Sequence, residues 1–497
     1  LNIRRKTLPL RLKSFKFRSM KTIRALLIGI FTVFCGTTVM KAQDVYLSIP
    51  ENNIFNRTEF TSVPTRVMAN ANRTNWDYAF FGLAPVAPTF TSMSGPTFTH
   101  SSSSSTLPSS TLLWQLESMG GQLPSTGFSG SLPGFQSFST SAVKWFEPPG
   151  SVLFGGGFNR GNINFTFKIP SAQFSANAYR AGNYSMDIIQ NYNDFTPRNF
   201  KTILVIPSSI RWLTTSLTKY IEISSLNDYR ITGTRVLNLD NAEIAHTVDF
   251  NLWAKAASTN IQFTSSKGVP GTRNIATVKL GSNGSALTTK PLSNDFQNFS
   301  ASTFNVVGGN RSSFTPELYV SAEDLKNSFF EAGTYTFELN LNARSTDNSI
   351  NSLQNTAVQV KVLPRSEITI PSSGRNVNFN FNTAAQYAEG QSQVIPNQII
   401  LSNNESFELY VKSDENYFKK GGLQTDINSN ILQIGMDGSS VNAPLSKTPQ
   451  KILFNGTPVL DRQLNVIYTI PAAGAQSLVG KENTTYSINV YYSFTAI

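Results

Sequence analysis

Along residues 332–341, apolar and polar positions alternate strictly. Tyr335, Phe337, Leu339 and Leu341 fall on one side, with Thr336, Glu338 and Asn340 on the other. This period of two predicts a strand with one face buried and one in water. An Ala-Gly-Thr lead-in precedes Tyr335, and Ala181-Gly182-Asn183 precedes Tyr184 in the same way. Asn483-Thr484-Thr485 precedes Tyr486, after which Ile488, Val490, Tyr492 and Phe494 alternate. The pattern predicts the closing strands of three copies of one β-domain.

Other landmarks recur in the same order. An Ile-Pro step at Ile49-Pro50, Ile206-Pro207 and Ile370-Pro371 is expected to open each copy at a strand start or edge. Alternating runs follow at 250–255 and 407–412, with a weaker counterpart at Trp76-Asp77-Tyr78-Ala79-Phe80. Strands at 114–116, 278–280 and 432–434 run toward glycine turns, and strands at 165–169, 317–320 and 466–470 precede each key tyrosine. Ordered repetition of this kind signals a repeated module. Short strands split by Gly, Pro, Asn and Asp predict an all-β chain of three tandem immunoglobulin-like β-sandwich domains with minor helix. One helical turn or two is expected after Ser321, which suits a cap. The expected domains are 43–205, 206–365 and 366–497, joined through linkers at about 193–202 and 363–366. Residues 86–143 are dominated by Ser, Thr, Pro and Gly and are expected to form a loop or flexible insertion in the first domain.

Charge changes the picture only through its position. The chain carries a formal +11, but residues 1–42 hold ten Lys or Arg and no acid, leaving 31 basic against 30 acidic residues elsewhere. No clustered basic footprint remains, so nucleic acid is not an expected partner. Met20-Lys21-Thr22-Ile23-Arg24, the apolar run 25–35 and the small and polar residues up to Lys41-Ala42-Gln43 form an export-signal pattern. The run is shorter than the roughly 20 apolar residues needed to span a bilayer, so no stable transmembrane segment is expected after cleavage following Ala42. Residues 1–42 thus form a signal peptide with an upstream leader, and Met20 is the expected start. Cys35, the single cysteine, leaves with the signal, so packing rather than disulfides must hold the exported domains.

The last copy is similar to a known family. Residues 398–401, 406–409, 432–434, 451–453, 464–468 and the Thr485-Tyr486-Ser487 ending resemble secreted bacterial domains of the spore-coat-protein-U and pilus-subunit type. The Ala-Gln ending of the leader is similar to those of Bacteroidetes exported proteins. This resemblance implies immunoglobulin-like sandwiches used in extracellular structures or adhesion, with self-assembly possible in principle. Pilus subunits of this kind are usually single domains that exchange a strand, whereas three copies stand in tandem here. The strand at the end of the third copy is therefore expected to complete its own fold, although its apolar face resembles what pilus chaperones grip.

Candidate chemistry is sparse. His100 and His246 are the only histidines, too few for a His-based zinc site or a placed triad, and both are expected to be ordinary polar residues. Residues 155–161 superficially resemble a phosphate loop but precede a strand, so a hairpin turn is expected. Asp347-Asn348 and Asp437-Gly438 suit turns better than a calcium loop. No catalytic, cofactor or metal residue is assigned. Trp145 and Phe146, in a proline-rich bend, are the candidate ligand contacts, whereas Trp114 and Trp253 are expected in or beside the core. The expectation is a noncatalytic exported protein of the cell surface, structural or adhesive, with the periplasm as the alternative address. Its possible partners are other surface proteins or surface glycans. A carbohydrate-binding protein and a pilus- or fimbria-type subunit are the alternative functions.

Overall fold

The computed structural model describes residues 43–70, 80–83, 86–117, 132–147, 151–156, 162–192, 195–214 and 219–497. The leader, its cleavage site and most of the Trp76 run lie outside the described residues. The chain is all-β, built of immunoglobulin-like sandwiches with short helices between strands. It divides into two compact units, one of Leu1–Asn177 with Gly182–Pro207 and one of Ala178–Ala181 with Ser208–Ile497.

In the first unit, strand β1 (Val45–Ser48) and strand β2 (Gly182–Gln190) flank strand β3 (Asn199–Ile206), the former parallel and the latter antiparallel. The opposing sheet centres on Asn162–Ile169, paired with Leu113–Leu116 and Thr65–Asn70. Strand β3 lies across the expected first linker. The tyrosine strand β2 is therefore not the closing strand of its copy.

The expected insertion at 86–143 is also corrected. Where described, it contains the strands Thr89–Ser92, Thr97–His100, Thr106–Pro108 and Leu113–Leu116. Phe90, Phe98, Leu107, Trp114 and Phe138 from this stretch are all buried. A few well-spaced aromatics supply the core, and Thr89, Thr91, Thr97 and Thr99 take the outward strand positions between them, where a β-branched residue is favoured.

The second unit contains two separate hydrophobic cores. Around the first, β4 (Lys219–Ile223) lies parallel to the last strand. β5 (Phe250–Ala256) pairs with β6 (Gly333–Ser345), and β6 pairs in turn with that last strand, β7 (Asn351–Val362). Phe250, Leu252, Tyr335, Leu339, Leu341, Val358 and Val360 point from this sheet into the core. Around the second core, β8 (Phe407–Ser413) pairs with Gln450–Gly456 on one edge and with β9 (Val490–Ala496) on the other. The opposing sheet is built on Gly390–Asn403 and Val459–Pro471.

Two local devices recur three times. A single 3-10 turn precedes a strand at Ser109–Thr111, Ile275–Thr277 and Ser429–Ile431. A short helix follows the central strand at Ser171–Ala176, Ala322–Ser328 and Ala472–Gln476. Ser321 caps the second of these helices, its hydroxyl accepting from the Asp324 amide at 3.0 Å. The Ile-Pro steps close strands rather than open them. Pro50 and Pro371 follow the ends of strands and stand at the starts of helical turns, where the missing N–H costs nothing. Between the two cores of the second unit, Asn404 holds residues 363–365. Its side chain accepts from the Arg365 amide at 2.7 Å and donates to the Leu363 carbonyl at 2.9 Å.

Candidate functional site: an open strand position

β6 and β9 hold equivalent places, because β6 pairs with β5 as β9 pairs with β8. Their second edges differ. β6 is covered by β7 along its whole length, whereas no described residue pairs as a strand with the second edge of β9. The consequence appears in burial. Tyr335, Leu339, Leu341 and Ala343 on β6 are each 0% exposed, but Val490, Tyr492 and Phe494 on β9 are only half-buried, although they pack on the second core. The strand was expected to complete its own fold. It leaves one edge of hydrogen-bonding groups and one apolar stripe open.

Residues 376–382 face the gap. Val377, Phe379 and Phe381 are half-buried and alternate with exposed asparagines, the pattern of a strand, yet the segment pairs with none. In the neighbouring module β4 supplies a parallel strand beyond β7; here the segment and β9 bound an empty lane. The groove has a volume of 1340 Å³ and is lined by Ile370, Phe379, Phe381, Tyr468, Val490 and Tyr492 among others. At its base the Tyr468 and Tyr492 hydroxyls lie 2.6 Å apart, and the Gln398 amide donates to Tyr468 at 2.8 Å and to the Gly374 carbonyl at 2.8 Å. Burial pushes both phenols up from their ordinary value, so they stay protonated and serve as neutral hydrogen-bonding groups.

This arrangement suits an extended strand. An unpaired edge provides a ladder of backbone donors and acceptors, and the groove beneath receives alternate apolar side chains. The sequence signal that could have revealed it is the Asn-Val-Asn-Phe-Asn-Phe-Asn run at 376–382.

The residues singled out from sequence lie elsewhere. Trp145 and Phe146 are each 1% exposed. The Trp145 ring sits 6.1, 5.8 and 5.3 Å from those of Phe90, Phe165 and Phe195. In this arrangement neither ring presents a face to a ligand, and the expected contact is replaced by a core role. His246 is fully buried; its Nδ1 lies 2.9 Å from the Val248 carbonyl and its Nε2 2.8 Å from the Ser312 hydroxyl. His100 accepts from the Ser102 amide through Nδ1 at 3.1 Å. Asp347 stabilises the hairpin between β6 and β7, accepting from the Ser349 amide at 3.1 Å and from the Ser345 hydroxyl at 2.5 Å, and these bonds push its pKa down to about 2. Of the 155–161 stretch, Gly155 and Gly156 belong to a strand, Ser151–Gly156, and the rest lies outside the described residues. Among the described residues no three His, Cys, Asp or Glu side chains cluster as metal ligands, and no helix is long and apolar enough to cross a membrane.

Neither a protein-family model nor a curated protein matches the sequence. Several solved structures are similar to the chain. One is the adhesive subunit of CFA/I fimbria from enterotoxigenic Escherichia coli, at 9% identity over 65% of this chain and 98% of that one, with a TM-score of 0.26. Another is the CupB6 tip adhesin of Pseudomonas aeruginosa, at 6% identity over 61% of this chain and 99% of that one, with a TM-score of 0.23. A third, the CooA pilin subunit of enterotoxigenic Escherichia coli, has 13% identity over 31% of this chain and 99% of that one, with a TM-score of 0.22.

Proposed function

We propose that this is an exported, noncatalytic surface protein of the pilus-subunit or adhesin type, with three sandwich modules at 43–205, 206–365 and 366–497. Its last module is completed by a strand supplied by a partner polypeptide. The observation that carries this reading is the contrast between β6, sealed by β7, and β9, whose apolar stripe stays half-exposed beside an unfilled groove. β7 is the internal template for what the lane lacks: a strand antiparallel to its neighbour with Val358, Val360 and Val362 facing inward. The partner is a second copy of this chain or another subunit bearing such a strand. Export is supported by the 20–42 pattern, and the cell surface is the proposed address.

The reading is tested by labelling intact cells with antibody and shaving them with protease, then recovering the protein and measuring its mass under native conditions. Surface label with recovered assemblies of more than one chain supports the proposal. Protection from protease on intact cells would place the protein in the periplasm and refute it, as would recovery of single chains only.

A further inference from the structure

We infer that the outward face of the β5–β6–β7 sheet binds the acid group of an acidic saccharide chain, with Arg344 as the anchoring cation. This site is separate from the open strand position and stands independently of it. Along β5, Asn251, Trp253 and Lys255 alternate with the buried Phe250, Leu252, Ala254 and Ala256 and so point away from the core. Register places Arg344 of β6 directly between Asn251 of β5 and Asn351 of β7.

The Arg344 guanidinium is held between two aromatic rings, its Cζ 4.9 Å from the Trp253 centroid and 4.6 Å from that of Phe296. Lys255 adds a second cation 5.0 Å from the Phe296 centroid. The Asn342 amide oxygen accepts from Arg344 Nε at 3.0 Å while its nitrogen donates to the Ser352 carbonyl at 3.2 Å. Stacking and this bond fix the guanidinium plane and leave the Nη edge for another acceptor. Elsewhere in the second unit, Arg230, Arg235, Arg273 and Arg311 each pair with a carboxylate. Among the described residues Arg344 and Lys255 pair with none. Glu338, exposed on β6 beyond Asn340, is the next carboxylate along the strand on this face.

An arginine stacked on aromatics with a free edge is built to receive a planar or tetrahedral oxyanion through paired N–H donors. The flanking Asn251 and Asn351 amides can each donate and accept, which matches sugar hydroxyls beside the acid group. The site lies on the open face of a sheet, so the ligand is laid across it rather than enclosed. A carboxylate on a uronic acid and a sulfate ester share this chemistry.

The test is titration calorimetry of the 43–497 chain with hyaluronan oligosaccharides, heparin-derived oligosaccharides, dextran and a polyglutamate peptide. Binding of either acidic probe, absent for dextran and weakening as salt rises, is the expected result. Arg344→Gln should reduce affinity about tenfold or more, with an unchanged unfolding transition, while the exposed Lys412→Gln on β8 leaves affinity unchanged. Binding of hyaluronan would assign the carboxylate, and binding of heparin oligosaccharides alone the sulfate. Equal affinity of Arg344→Gln, equal binding of dextran, or no binding of either acidic probe would overturn the inference. So would an Arg344-dependent preference for a polyglutamate peptide over both saccharides.

Discussion

At the residue scale, two glycines explain the shared lead-in of β2 and β6. Gly182 has φ +129° and Gly333 φ +153°, and a Cβ at Gly333 would stand 2.3 Å from the Thr264 carbonyl oxygen. Gly333→Ala is therefore expected to destabilise the second unit by about 3 kcal/mol, through backbone strain and a clash that backbone atoms cannot relieve, measured by urea unfolding. Trp145→Ala should lower stability by about 3–5 kcal/mol, because it removes a large ring from the first unit's core. His246 gives a pH dependence. Burial holds its pKa below the ordinary value, only partly opposed by the hydrogen bond to Val248 and the charge of Asp249. The unfolded chain then takes up this proton at higher pH than the folded one. Stability is unaffected above about pH 6.5 and falls as pH drops from there toward the lowered folded value. The urea midpoint should therefore be lower at about pH 5.5 than at about pH 7.5, and His246→Gln should flatten that difference.

At the element scale, what was legible in the sequence followed from local alternation. Residues 250–255 and 407–412 form β5 and β8 because period-two patterning alone commits each strand's buried face. β3 and β7 were not legible as partners of the tyrosine strands, since pairing is decided between distant segments. The 86–143 stretch misled because Phe90 and Trp114 gain their burial from aromatics far along the chain, such as Phe165 and Phe200. Trp145 misled for a related reason: the neighbouring Pro-Pro-Gly sequence suggests exposure, yet the ring's surroundings come from other strands. The open lane was hidden because an unpaired edge leaves no trace in the pattern of β9 itself, and only the alternation at 376–382, across the groove, points to it. A single side chain separates its role from its stability. Phe379 is half-buried on the second core and, among the described residues, pairs with no strand, so Phe379→Lys should cost the isolated chain only about 1–2 kcal/mol in urea unfolding while preventing recovery of multi-chain assemblies.

At the scale of the whole molecule, the same module plan is sealed within the chain where β7 covers β6 and left open where β9 ends its sheet. β7 shows what strand would fit beside β9, whose second edge, unpaired among the described residues, is of the kind natural sheets cover or charge. The most direct test is amide hydrogen exchange, comparing the isolated 43–497 chain with protein recovered in its assembled state from cells. In the isolated chain, residues 376–382 and the β9 amides not bonded to β8 should exchange fast, while β6 stays protected; in the assembled protein both fast segments should become slow. Protection of β9 equal to that of β6 in the isolated chain, or unchanged fast exchange after assembly, would contradict the claim that a partner strand completes the last module.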